Sequence, residues 1–245
     1  MLFGWPFLVL QWNLVARSAT VSSMMMEHIS WEGDSLVITT PKHKGDQEGA
    51  NCFPRHLYAN PIDPVICPVL ALAILTFVRG LRVDPLSTPS SSSGSAVESF
   101  RVFDGDNNGS RFSGVLHRVI QTLSPSEVLV LGGTAKELGT HSVRKGAATY
   151  CLGMVNGPTA VQVYLRAGWS LGVQDRYLFQ CAGGDQLTGR ALSGLPFTDC
   201  VFASLPPHFT ERGKESIDMN SILPLWSKLP GTIKRALPYL LASIC

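Results

Sequence analysis

The sequence has no Cys-x-x-Cys pair and no Cys/His cluster at zinc-ligand spacing; Cys52, Cys67, Cys151, Cys181, Cys200 and Cys245 are scattered along it. This spacing argues against a structural zinc site and fits free, buried thiols in a reducing compartment. Charge is sparse too: Asp, Glu, Lys and Arg make up 16% of the 245 residues, and the formal net charge is +2. That excludes a uniformly basic nucleic-acid binder, so any phosphate contact must come from local placement of cations. No Gly-x-x-x-x-Gly-Lys-Ser/Thr string occurs, which leaves no sign of an ATP-binding loop. No apolar run reaches the roughly 18 residues needed to span a bilayer. The run over 2–10 has no Lys or Arg before it and leads into Trp12, Asn13 and Arg17, so it reads as a buried helix and not as a secretion signal. A soluble intracellular protein with no membrane partner is expected.

Hydrophobic residues amount to 45%, enough for a real core. The cations are unevenly spread. Residues 141–190 hold Arg144, Lys145, Arg166, Arg176 and Arg190 against Asp175 and Asp185, whereas residues 1–60 hold more acids than bases. The C-terminal half is therefore the better candidate for a phosphate-facing surface.

Periodicity predicts two helical segments over 7–26 that meet near Arg17, with Ser18 and Thr20 as capping candidates. A β-like stretch follows, with a turn at Glu32-Gly33-Asp34, the strand residues Leu36-Val37-Ile38-Thr39, and a polar tip from Lys42 to Asp46. Pro68 and Gly80 punctuate a helix over 67–81. Residues 84–99 read as a Ser/Pro-rich surface loop. The segment 104–109 imitates the first half of a calcium-binding EF-hand loop, but its closing position is Val115 where Glu is required, so a turn before a helix over 111–123 is expected instead. Further helices are expected over 141–152, 159–166 and 171–179, then a tail with amphipathic stretches at 219–229 and 232–243. The fold class expected is mainly α with a small antiparallel β-sheet. The domain is expected to lie in two parts, 1–84 and 101–205, joined by a loop over 85–100 and followed by tail helices over 206–245.

The segment Gly139-Thr140-His141-Ser142-Val143-Arg144-Lys145 is the most informative. Thr140 can cap a helix whose first turn carries His141 and Arg144 on one face, beside backbone N–H groups that favour an anion. The planar guanidinium of Arg144 can grip two phosphate oxygens at once. His-x-x-Arg alone is a weak signal, because an arginine paired with an acid beside a core histidine gives the same string. Upstream lie Arg17 and Lys44; downstream lie Ala167-Gly168-Trp169-Ser170 and then Tyr177 in Gln174-Asp175-Arg176-Tyr177-Leu178.

Arg, Lys, His-x-x-Arg, Trp and Tyr in that order resemble the active-site series of the tyrosine recombinases, the phage-integrase family. The strings Trp12-Asn13-Leu14, Lys44-Gly45-Asp46-Gln47, His141 to Ala147, Ala167-Gly168-Trp169-Ser170, Gly183-Gly184-Asp185-Gln186 and Phe202-Ala203-Ser204-Leu205-Pro206-Pro207 look like the Crypton-type branch of eukaryotic mobile elements. The resemblance implies a recombinase catalytic-domain fold, double-stranded DNA as partner together with other recombinase protomers, a nuclear location, and neither metal nor other cofactor. It also implies DNA cleavage and rejoining through a covalent 3′-phosphotyrosine. In this reading Arg17 and Arg144 hold the scissile phosphate, Lys44 is the general acid, His141 assists proton transfer, Trp169 buttresses the phosphate and Tyr177 attacks. Lys42, Lys145, Arg166 and Arg176 are candidates for DNA contact.

The chemistry agrees with the residue types. A metal-free phosphoryl transfer needs fixed cations for the charge that develops on oxygen, and a phenol with a reference pKa near 10 needs cationic neighbours to become phenolate. Lys42 competes with Lys44, two residues away and on the same side of a strand. Tyr164 competes with Tyr177, although its apolar surroundings suit a core residue, and Trp169 could equally be core filling. The family's N-terminal clamp domain is expected to be missing, which leaves a non-catalytic or host-adopted DNA-binding module as the alternative.

Overall fold

The computed structural model describes residues 2–39, 53–80, 100–170, 172, 181–197 and 205–245. Its chain begins with α1 (Gly4–Asn13) and α2 (Ser18–Ser22), the two helices expected on either side of Arg17. The corner between them is sharp because Val15 takes a positive φ of 49°. A β-branched residue rarely adopts that conformation and stores strain there. Its side chain is fully buried, so packing holds the strained corner in place.

Three short strands follow: β1 (Ile29–Glu32), β2 (Ser35–Ile38) and β3 (Arg55–Leu57). They form an antiparallel sheet in the order β1-β2-β3. Glu32 pairs with Ser35, leaving Gly33 and Asp34 as a two-residue turn, and Gly33 supplies its positive φ of 57°. Ile38 pairs with Arg55, so the chain leaves β2 and re-enters β3 at one end of the sheet.

The helix expected over 67–81 starts as α3 (Pro68–Ala73), capped by Cys67, and finishes as a wider π-turn over Ile74–Val78. Beyond it lie α4 (Asn108–Thr122), α5 (Pro125–Val130), α6 (Thr140–Gly153), α7 (Ala160–Ala167) and α8 (Ala182–Leu192). The short α9 (Glu211–Glu215) and α10 (Met219–Ile222) lead to α11 (Gly231–Ala242). The architecture is thus helical with one small antiparallel sheet, as expected. The turn expected over 104–109 occupies only residues 104–107, because α4 begins at Asn108, three residues before the expected start. Asp104 pairs with Arg79 and Asp106 with Arg101, at 2.7 and 3.0 Å.

The main core joins α1, α3, the sheet and α11 through Phe7, Leu10, Ile29, Leu36, Leu72 and Leu237. The C-terminal stretch is therefore no appended tail, since Tyr239 stacks on Trp31 with ring centroids 4.1 Å apart. A second, smaller cluster joins α6, α7 and α8 through Ala147, Cys151, Val163 and Leu192, with Val15 from the α1–α2 corner. Not all thiols are buried as expected: Cys67 and Cys151 are, but Cys181 and Cys245 are exposed. Among the described residues, no helix is long and apolar enough to cross a membrane.

Candidate functional site

The second cluster carries a floor of buried polar groups. Arg166, on the last turn of α7, has no exposed surface, and its Nη1 donates to Asp185 Oδ1 at 2.6 Å. Its Nη2 donates to the carbonyls of Asn13 and His56, and its Nε donates to Asn13 again. Asp185 Oδ2 in turn accepts from the His56 backbone N–H at 2.7 Å and lies 2.9 Å from His56 Nδ1. Burial alone would raise the Asp185 pKa; the guanidinium of Arg166 and the hydrogen bonds from His56 outweigh it and hold the carboxyl below its usual range. This constellation ties α1, β3, α7 and α8 together. It also corrects one expectation: Arg166 cannot contact DNA, because its charge and donors are spent inside the protein.

Above this floor, α7 ends at Gly168, whose φ of 64° is the left-handed conformation of a helix terminus and suits a residue without Cβ. The carbonyls at that end carry the negative pole of the helix. Arg144 Nη2 donates to the carbonyl of Ala167. The residue is 6% exposed, and its guanidinium carbon sits 5.1 Å from the centroid of the Trp169 ring. Its Nε is buried without a partner, and no carboxylate pairs with Arg144 among the described residues. Burial, and then the positive charges of Arg17 and Arg55, lower the Arg144 pKa to about 10.

Arg17 and Arg144 therefore lie within each other's field although they are far apart in sequence. Arg17 sits at the N-cap of α2, in the extended conformation that follows the Val15 corner, and is half-buried. Trp169 completes this group; its ring also meets Tyr164 edge-on, with centroids 5.2 Å apart and planes at 80°. Tyr164 is thus a packing partner of the site's tryptophan. His141 is exposed on the first turn of α6, as is Lys145 a turn later. The helix begins one residue earlier than the capping argument supposes: Gly139 takes the N-cap, and its N–H donates to Ser142 Oγ at 3.1 Å. Thr140 instead presents its carbonyl to Gln11 Nε2 at 2.8 Å, which anchors α6 on α1.

Lys42, Lys44, Arg176 and Tyr177 lie outside the described residues. Their chain neighbours are placed: Ile38 and Arg55 flank the segment with the lysines, and Ser170 and Cys181 flank the one with the tyrosine. Sequence reasoning missed Arg55, which belongs to the cationic group. The signal available was its place on the return strand of the hairpin, directly after Pro54.

Chemically, an arginine with an unpartnered donor, a second arginine beside it and an aromatic wall make a receptor for an oxyanion. Among the described residues no set of His, Cys, Asp or Glu is arranged to hold a metal ion. Comparison with family models, with curated proteins and with solved structures finds no match to this chain.

Proposed function

We propose that the protein is a DNA strand transferase of the tyrosine recombinase type, cleaving and rejoining DNA through a phosphotyrosine on Tyr177. The observation that carries this reading is the convergence of Arg17 and Arg144, with Trp169 against the latter and, among the described residues, no carboxylate paired with it. An ordinary structural arginine buried to this extent is neutralised, as Arg166 is by Asp185. Arg144 awaits its counter-charge from outside, and a DNA phosphodiester supplies one.

In this reading the two guanidinium groups hold the non-bridging phosphate oxygens and stabilise the charge that grows on them during attack. The phenol of Tyr177 gives up its proton with the help of His141, and its oxygen forms a bond to phosphorus as the bond to the 5′ oxygen breaks. Lys44 delivers the proton that the departing oxygen needs. Lys44 follows Ile38 by six residues in the chain, and Ile38 pairs with Arg55 beside the site. Rejoining reverses these steps, with the phosphodiester energy kept in the covalent link. Host nuclear DNA and a second protomer are the partners this reading implies.

The direct test is incubation with a nicked DNA duplex whose cleaved strand escapes, followed by denaturing electrophoresis. A covalent protein–DNA band supports the enzyme. Duplex binding without a band supports the non-catalytic module of the same fold.

A further inference from the structure

Arg55 opens β3, paired with Ile38 at the foot of the connection that carries Lys42 and Lys44. It is 8% exposed, and its Nε donates to the carbonyl of Arg166 at 3.0 Å. Arg144 Nη2 donates to the very next carbonyl, that of Ala167. Two consecutive carbonyls at the end of α7 thus seat two guanidinium groups side by side. The partial negative charge of the helix end attracts both cations, and the charge of Arg55 acts on Arg144. The unpartnered Nε of Arg144 marks an unmet demand at the same place.

We propose that Arg55 is a third guanidinium of the anion site, adding its charge to the hold of Arg17 and Arg144 on a phosphate group. The inference rests on the reading of this place as an anion site and not on strand cleavage. Held by its Nε on a rigid strand, Arg55 needs no reorganisation when the anion arrives.

The test uses the full chain and three variants, Arg55→Gln, Arg55→Lys and Arg144→Gln, at constant ionic strength. Binding of inorganic phosphate is measured by calorimetry and binding of a short DNA duplex by fluorescence anisotropy. Arg55→Gln keeps a donor for the Arg166 carbonyl but removes the charge, and should weaken phosphate binding by about tenfold, the size of one charge-assisted contact. Arg55→Lys should recover most of that loss. Phosphate that displaces the duplex identifies a shared site. Arg55-dependent binding of the duplex alone assigns the site to the nucleic-acid backbone, and of phosphate alone to the free anion.

If Arg144→Gln weakens binding while Arg55→Gln matches the parent protein, the role of Arg55 is overturned and the anion site stands. Equal loss in folded Arg55→Gln and Arg55→Lys also overturns it, since charge would then not be what matters. If the parent protein binds neither probe, the anion site falls and this inference with it. Should Arg55→Gln fail to fold, a loss of more than tenfold in folded Arg55→Lys decides against the proposal.

Discussion

Asp185 Oδ1 meets Arg166 Nη1 at 2.6 Å with neither side chain exposed to solvent. Such a pair contributes little net stability over a well-packed apolar pair, but losing one partner leaves the other charge buried alone. Asp185→Asn should therefore cost about 3–5 kcal/mol, read as a drop in the denaturant midpoint. The same carboxyl has a folded-state pKa held below its ordinary value. Its contribution is thus complete above the unfolded pKa of about 4 and is lost as pH falls through the lower folded value. Acid titration should show this step in the parent protein and not in Asp185→Asn.

Arg144 is the opposite case. Its charge is disfavoured by burial and by Arg17 and Arg55, and no carboxylate among the described residues offsets it. Arg144→Gln should melt higher than the parent in anion-free buffer, by about 2–4 °C for each kcal/mol relieved. The gain should vanish when DNA or phosphate is added. A variant that melts lower in both buffers would show Arg144 to be a structural residue.

Tyr177→Phe removes only the phenolic oxygen. We expect it to fold and bind duplex DNA like the parent while forming no covalent adduct on the nicked substrate. An adduct that persists points to another nucleophile, and Tyr164→Phe is then the variant to compare.

Gly189 faces the strand β3 so closely that a Cβ there would lie 2.2 Å from the His56 carbonyl oxygen. Gly189→Ala must push α8 off β3, at about 2–3 kcal/mol by the usual cost of overpacking. Because Asp185 is one turn away on α8, the variant should also blunt the acid step described for Asp185. Hydrogen exchange at the His56 amide, which donates to Asp185, provides the readout.

Most of the scaffold was legible because its periodic signals are strong and local. The α1–α2 junction, the Gly33 turn, the start of α3 at Pro68 and the stretches that became α4, α6, α7 and α11 all follow from such signals. Helix α8 was not foreseen: its stretch holds Gly183, Gly184 and Gly189, poor helix formers, of which Gly184 and Gly189 are placed by close tertiary approach. Within the site, Arg144 lies in the field of Arg17 and by the Trp169 ring. The misreading of Arg166 has a physical cause, since sequence gives the charge of an arginine but not the buried aspartate that neutralises it nineteen positions later. Arg55 was overlooked for the converse reason: what makes it notable is a helix end from a distant segment.

Helix α11 supplies Ile233, Ala236, Leu237 and Leu240 to the same core that supports the sheet. The sheet is therefore backed, on β1 above all, by residues that leave the ribosome after the strands themselves. Until residues 231–242 have been synthesised, the sheet lacks the apolar cover that α11 gives it. A nascent chain can build its α6–α7–α8 cluster in advance, but it completes the main core only with α11.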